Sequence, residues 1–550
     1  MKVESAYTKI LIVSLTLFLT ILKPLFYAQA AEEVKLPTSA QGQDLQEEER
    51  LIKILDKETE IATKTRLNSD YVPGLVTVLY GEELKAQGML IVWEALSTVP
   101  GIELSIDQTG GKELIIRGIG RTPLSGKVKV LLNGVSMNSA MVGRADPVMN
   151  MPIEQVDRIE IIRGPGSVLY GEYAFSGLVN VITKKEGQML FTEVTSRNVI
   201  EGGGLFSYKN ANSGFNISLN AAGSGSADAH VTAAKDRLYG MGMGDISYAP
   251  GPTNEDNNFG SVLLNMSWKD LTAKLQLLSD GRGDHFGLSS FLPPPEHRIV
   301  MRNKYLTSFV NYTFKIESTL NADVSFGIMD YTQDINNAQS APPGFLGSVD
   351  GYKITSHYEE LQIKGGVDLK YTGVDSHTFI LSTSVVNTNI VDAWWDLNWD
   401  PDTARPLPNT QRFTGDKNFI DKGRNRFLNS YSAQDEIRIN KDVNVTLNLR
   451  YDNYSDFRSS IMPRLASVYR LTDNHILKAQ YARAFRPPSF YEMKRSYELK
   501  PETIDTYEVS YIYKGDKTKG ILTLFYSNLD DMIIFVVNKY KNIEPLAKRK

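Results

Sequence analysis

From about residue 190 to residue 540 the chain alternates apolar and polar side chains with a period of two, which restricts this stretch to extended, sheet-forming structure. Val443, Val445, Leu447, Leu449 and Tyr451 share one face of such a segment, while Asn444, Thr446, Asn448, Arg450 and Asp452 share the other. Phe215, Ile217, Leu219 and Ala221 likewise oppose Asn216, Ser218 and Asn220, and Leu306, Val310, Tyr312 and Phe314 oppose Thr307, Asn311 and Thr313. A barrel with lipid outside and a polar lumen inside accounts for both faces. A soluble β-sandwich or propeller alternates equally well, so the period alone leaves these folds open.

The connections favour the barrel. Tight turns are expected near Lys269-Asp270, Thr372 to Ser376, Lys441-Asp442, Thr472-Asp473 and Gly515 to Lys519. Long polar stretches lie between them, at 224–258, 280–304, 331–356, 392–426 and 485–504. Short turns at one end and long loops at the other are the asymmetry of an outer-membrane barrel. The 550 residues include no cysteine, which excludes a disulfide framework and thiolate metal sites. After the N-terminus no apolar run approaches the length of a membrane helix, so a spanning fold must be a closed barrel. The 27 Tyr, 22 Phe and 42 Gly, with a mean hydropathy of −0.25, suit strands that are half polar.

Residues 1–30 read as a secretory signal: Lys2 and Lys9, an apolar run from Ile10 to Leu22, then the small-x-small string Ala28-Gln29-Ala30. A formal net charge of −4 gives no reason to invoke nucleic acid. No convergent nucleophile, base or metal-ligand set marks an enzyme, and no cofactor is implied.

Residues 156–185 alternate two strands with a hinge. Ile159 and Ile161 oppose Arg158 and Glu160, Gly164-Pro165-Gly166 turns the chain, and Val179, Val181 and Thr183 share a face of a second strand. Upstream, Gly81 to Val99 reads as two short helices broken at Gly88, and Leu114 to Arg117 and Lys127 to Leu132 read as strands. The strings IEIIRGP, LYG and GLVNVIT resemble the end of the plug domain of TonB-dependent outer-membrane receptors. Ile116-Arg117-Gly118 and Leu131-Leu132-Asn133-Gly134 resemble two further plug strings, with Asn133 where the family usually has Asp. Arg483 to Glu492 (RAFRPPSFYE) and Leu499 to Glu508 (LKPETIDTYE) resemble two strings of the family's barrel.

The resemblance implies a transmembrane antiparallel β-barrel with an N-terminal mixed α/β plug, in the outer membrane of a Gram-negative bacterium. The expected organisation is signal peptide 1–30, periplasmic segment 31–71, plug 72–187 and barrel 188–550. About 14 to 16 strand candidates are legible, against roughly 22 for a plugged transporter, so the barrel is expected to lack its last strands. The implied function is active uptake of a scarce ligand, driven by the energy-transducing protein TonB. TonB pairs with an N-terminal box by strand addition, and Glu58-Thr59-Glu60-Ile61-Ala62 resembles that box. Arg117 and Arg163, buried on plug insertion, are expected to pair with carboxylates of the barrel wall.

Ligand identity is the least constrained reading. Trp394, Trp395 and Trp399 are expected in one outer loop, where aromatic faces suit an iron chelate, a corrinoid or a sugar; packing within the loop is the alternative role. An iron-siderophore is the cargo the resemblance implies, with cobalamin, haem and a truncated, non-transporting fragment as alternatives.

Overall fold

The computed structural model describes residues 58–59, 67–68, 70, 72, 74–120, 126–195, 199–226, 231–296, 298–496, 498–515, 518–538 and 541–546. The expected signal peptide lies outside them.

The chain first builds a small mixed domain. Its elements are β1 (Leu75–Tyr80), α1 (Gly81–Ala86), α2 (Val92–Leu96), β2 (Ile102–Ile106), β3 (Lys112–Ile116), β4 (Val128–Leu132) and β5 (Val135–Ser136). They continue with α3 (Asp146–Met149), β6 (Val156–Arg163), α4 (Ser167–Tyr170) and β7 (Gly177–Thr183). A five-stranded sheet runs β1-β6-β7-β4-β5, with β4 and β7 parallel, and β2–β3 forms a separate hairpin. Between β6 and α4, Gly164 adopts φ +125°, which a side chain resists, and this is the hinge read from the sequence. Asn133 and Gly134 both take positive φ and close the β4–β5 turn, where the Asn133 carboxamide also bonds the backbone and hydroxyl of Thr183. Ile159, Ile161, Val179 and Val181 are wholly buried in the core of this domain, as their alternation requires.

Residues 188–530 carry one antiparallel sheet of 16 strands, with a short two-stranded pair, Thr232–Ala233 with Gly251–Pro252, in one connection; a separate hairpin, Ile534–Asn538 with Lys541–Leu546, follows the sheet. In chain order the strands of the sheet are β8 (Gln188–Val194), β9 (Val199–Asn210), β10 (Phe215–Ser226), β11 (Asn257–Trp268), β12 (Leu271–Arg282), β13 (Met301–Glu317), β14 (Leu320–Ala341) and β15 (Tyr352–Tyr371). Then come β16 (His377–Trp399), β17 (Pro406–Phe413), β18 (Asn425–Arg438), β19 (Val443–Tyr454), β20 (Ser460–Thr472), β21 (His475–Arg486), helix α5 (Phe490–Arg495), β22 (Glu502–Lys514) and β23 (Lys519–Asp530). Each pairs with the next, except that β17 hangs from the end of β16 and β18 takes its place in the ladder. Among the described residues β8 and β23 make no ladder with each other, so the wall is an open sheet.

Burial along the wall separates barrel from sandwich. On β19, Leu447, Leu449 and Tyr451 are exposed while Thr446, Asn448 and Asp452 are buried. A water-soluble sheet would bury the first set; this one presents it to lipid and turns the polar set inward. Exposed Trp268, Tyr312, Phe314, Tyr371, Tyr469 and Tyr513 lie at the short-turn ends of their strands, where an aromatic girdle meets the membrane surface. All five expected tight turns fall between paired strands.

Two expected loops need correction. The stretches 331–356 and 392–426 are largely strand: β14, β15 and β16 are 22, 20 and 23 residues long. Only about 9 to 11 residues are needed to cross the bilayer, so these strands continue beyond it as a paired rim. Polarity marked the segments as outside the membrane, and the ladder kept them extended because neighbouring strands still supplied hydrogen-bond partners.

Candidate functional site

The site is the seam where the N-terminal domain meets the inner face of the wall. Which end of the wall is which follows from the turns. Gly74 accepts a bond from Lys478 near the start of β21, and Asp70 pairs with Lys519 at the start of β23. The chain therefore enters at the short-turn mouth. At the far end, the turn after β2 meets the start of the β12–β13 connection, with Gln108 O accepting from Phe286 N (2.9 Å) and Thr109 O from Arg282.

The long-loop end carries a buried ionic hub. Arg486, at the end of β21, donates to both oxygens of Glu492 on α5 (2.8 and 3.0 Å) and to Glu502 at the start of β22 (2.6 Å). Lys127 of the inner domain reaches Glu502 at 3.4 Å, and Ile533 N donates to its second oxygen. Ser489 caps α5 reciprocally with Glu492, which fixes that carboxylate for the bidentate contact. None of these charged side chains is more than 2% exposed. Buried charges of this kind persist only when paired and hydrogen-bonded.

Three further contacts stitch the seam. Glu360 on β15 accepts from Ala140 N and Ser139 Oγ (both 3.0 Å) of the inner domain and from its own neighbour Tyr358 (2.6 Å). Gln155 bridges Asn220 of β10 and Ser261 of β11 at 2.8 and 2.9 Å. On β12, Gln276 donates to Leu132 O and Lys274 to Asn133 O.

A charged cluster tops the inner domain. Arg144 donates to Asp107 (2.7 Å), and Arg282 of the wall donates to Asp146 (2.8 Å). Burial would raise the Asp107 carboxyl, but Arg144, Arg282 and the Thr109 hydroxyl overcome it and hold it at about 2. Glu113 lies in the same cluster, and burial, reinforced by Asp107 and Asp146 against the pull of Arg144, lifts it to about 7. Burial lowers Lys112 to about 8.

Arg117 projects from just beyond β3, pairs with Glu508 on β22, and lies 4.2 Å over the Phe525 ring of β23. Among the described residues Arg163 forms no ion pair with a wall carboxylate. It donates to Pro100 O (2.6 Å) and Thr77 Oγ1 (2.9 Å), both within the inner domain. Trp394, Trp395 and Trp399 sit on β16 rather than in a loop. Trp394 stacks on His357 and under Arg412, whose guanidinium is 3.6 Å from the ring centre; Trp399 stacks on Tyr352; Trp395 packs on Phe419 and donates to Lys417 O. Of the expected box, Glu58–Thr59 pairs with Leu67–Asn68, and Glu60, Ile61 and Ala62 lie outside the described residues.

Sequence reasoning missed Glu360, Glu508, Glu502 and Lys127 as seam residues. Glu502 and Glu508 lie within the string LKPETIDTYE, so their motif was visible although their partners were not. Nothing local marks Glu360.

Two family models match this architecture: the plug domain of TonB-dependent receptors over residues 69–178, and the TonB-dependent receptor-like β-barrel over residues 245–549. The chain belongs to the TonB-dependent receptors. This is a family of outer-membrane receptors, not of enzymes. The receptor is 24% identical over 469 residues to the vitamin B12 transporter BtuB of Vibrio vulnificus, covering 82% of this chain and 66% of that protein. It is 23% identical over 502 residues to the probable siderophore receptor PirA of Acinetobacter baumannii, covering 79% and 63%. The chain thus spans slightly less than two thirds of the length of these curated relatives. Among solved structures, the ferric enterobactin receptor PfeA superposes with a TM-score of 0.64 at 18% identity, covering 85% of this chain and 74% of that one. The ferric citrate transporter FecA gives 0.64 at 16% identity, covering 84% and 71%. At these identities the superpositions establish the receptor's fold.

Proposed function

We propose that this receptor takes up an iron-siderophore actively, with TonB as its energy-transducing partner. The observation that carries the reading is the stitched seam: a lumen filled by a domain bonded to β10–β12, β15 and β21–β22 does not pass solute passively. Opening it requires work, and the outer membrane holds no energy source of its own. Asp70 and Gly74 meet Lys519 and Lys478 at the short-turn mouth, which supports a periplasmic partner acting from that side. The segment Glu58 to Ala62 would pair with that partner by strand addition.

For the cargo, siderophore receptors recur among the relatives and among the structural neighbours. Cobalamin is the second reading, supported by the similarity to BtuB. Among the described residues, the rim histidines count against haem: His285 is engaged by Glu255, and His357 by Asp334 (2.7 Å) and the Trp394 ring. Growth of a receptor-deficient host on ferric enterobactin, ferric citrate, cobalamin or haem tests the cargo. Rescue by an iron chelate that disappears on deleting TonB is the expected outcome; rescue that survives the deletion would overturn active uptake.

A further inference from the structure

We infer that the route by which solute passes the plug runs along the inner face of β16 and β18–β20, where Val168 and Leu169 of α4 meet the wall. This rests on the uptake reading above and locates its path. The cross-seam bonds named so far lie to either side of this sector. Within it, a cavity of about 310 Å³ opens at the short-turn mouth, floored by the turn between β15 and β16 and lined by Thr378, Glu436, Asn444 and Thr446. A smaller gap of about 10 Å³ lies deeper, between Val168 and Leu169 on the plug and Ser382, Ser432, Gln434 and Asn448 on the wall.

The ladder sets the linings of the two voids on adjacent rungs. Thr378, Glu436 and Thr446 occupy one rung across β16, β18 and β19; Ile380, Gln434 and Asn448 occupy the next; Ser382, Ser432 and Arg450 the one above. Arg450 closes the top, donating to Asp452 and Ser430 (both 2.8 Å). Gly171 of the plug approaches Arg450 so closely that a β-carbon there would lie 2.7 Å from the guanidinium.

Around that closure, Asn448 Oδ1, Asp452 Oδ2, Glu172 Oε2, Tyr173 OH, Arg426 Nη1 and Tyr454 OH are buried with no hydrogen-bond partner in the protein. A dry, unpartnered polar atom is costly, so a cluster of them marks a place built for water or for the polar groups of a solute. Asn216, Ser218 and Asn265 carry unpartnered atoms near the short-turn end of β10 and β11 as well. There, however, the Gln155 bridge to Asn220 and Ser261 closes the seam farther along the same strands. The solute class that fits the β16–β20 sector is hydrophilic and rich in hydrogen-bonding groups.

The cysteine-free chain makes the test direct. Ser432→Cys and Asn448→Cys, beside the deeper gap, are compared with Ser261→Cys in the stitched sector. In outer-membrane vesicles, sulfonatoethyl methanethiosulfonate is expected to label the first two about tenfold faster or more than the third, since reaction follows the opening needed to reach each thiol. A maleimide-polyethylene-glycol adduct at Ser432→Cys should then abolish uptake of radioiron-enterobactin or radiocobalt-cobalamin while leaving its binding at the cell surface unchanged. Labelling no faster than at Ser261→Cys overturns the inference. Fast labelling with uptake undiminished by the adduct also overturns it, while leaving the uptake reading intact. If the unmodified receptor takes up neither probe, the uptake reading fails instead, and the labelling rates still decide whether this sector is the hydrated side of the plug.

Discussion

The two ends of the plug–wall seam are built differently. At the long-loop end Arg486, Glu492, Glu502 and Lys127 are sealed from water and saturate one another. At the short-turn end the seam rests on Lys519 with Asp70, the lysine 29% exposed, and on the bond from Lys478 to Gly74 O. The first arrangement is expensive to break because desolvation leaves an orphaned charge with no substitute partner. In the second, only Lys519 is partly exposed, so its pair with the buried Asp70 is screened by water on the lysine's side, unlike the hub. The plug is held by a fully buried charge hub at the long-loop end and by a pair with a partly exposed lysine where the N-terminal segment enters, so a pull from the short-turn side meets that pair first.

Substitutions graded along the seam sharpen or break that contrast. The largest effect is expected for Arg486→Met, which leaves two buried carboxylates without the guanidinium that pairs with both and should destabilise the receptor by about 3 to 5 kcal/mol. Urea titration of the detergent-solubilised protein reads this, and an unchanged midpoint would mean the hub is not an anchor. Next comes Glu360→Ala, which removes the acceptor of Ala140 N, Ser139 Oγ and Tyr358 OH and should cost about 1 to 3 kcal/mol. A smaller loss than at Lys519 would reverse the proposed ranking of the two ends.

Glu113→Gln acts through pH. The Glu113 carboxyl titrates near 7 in the fold against an ordinary 4.5, so its protonated form is the favoured one. Its contribution is fully present below pH 4.5 and is lost as pH rises through 7. Thermal melts between pH 4.5 and 8 should show the variant losing less stability over that window; parallel curves would remove Glu113 from the cluster's account. Asp107, held at about 2, acts in the opposite direction and only below about pH 4, outside this window. The smallest effect is expected for Lys519→Ala, whose lysine is partly exposed and whose loss should cost under about 1 kcal/mol. A shift as large as that of Arg486→Met would erase the difference between the ends.

Much of the fold was legible because it rests on local chemistry. The period of two on β19 and β10, the tight turn at Lys269-Asp270 and the Gly164 hinge each depend on residues adjacent in sequence. The rim was misread for a reason that is also local: Asp392 to Asp400 looks like a loop by polarity, but pairing with β15 and β17 keeps most of it extended. The seam was only half legible. Arg117 and Arg163 were singled out by the same argument, yet Arg117 meets Glu508 while Arg163 bonds the backbone of its own domain.

The sequence alone determined that this chain makes an amphipathic antiparallel wall after a small α/β domain, because periodicity and turn chemistry act between near neighbours. Only the tertiary structure decided which charges meet. Arg117 and Glu508 stand 391 positions apart, and Ala140 and Glu360 stand 220 apart. Whether such groups touch depends on sheet register and on how the plug is rotated within the wall, and neither is written in any local run of residues.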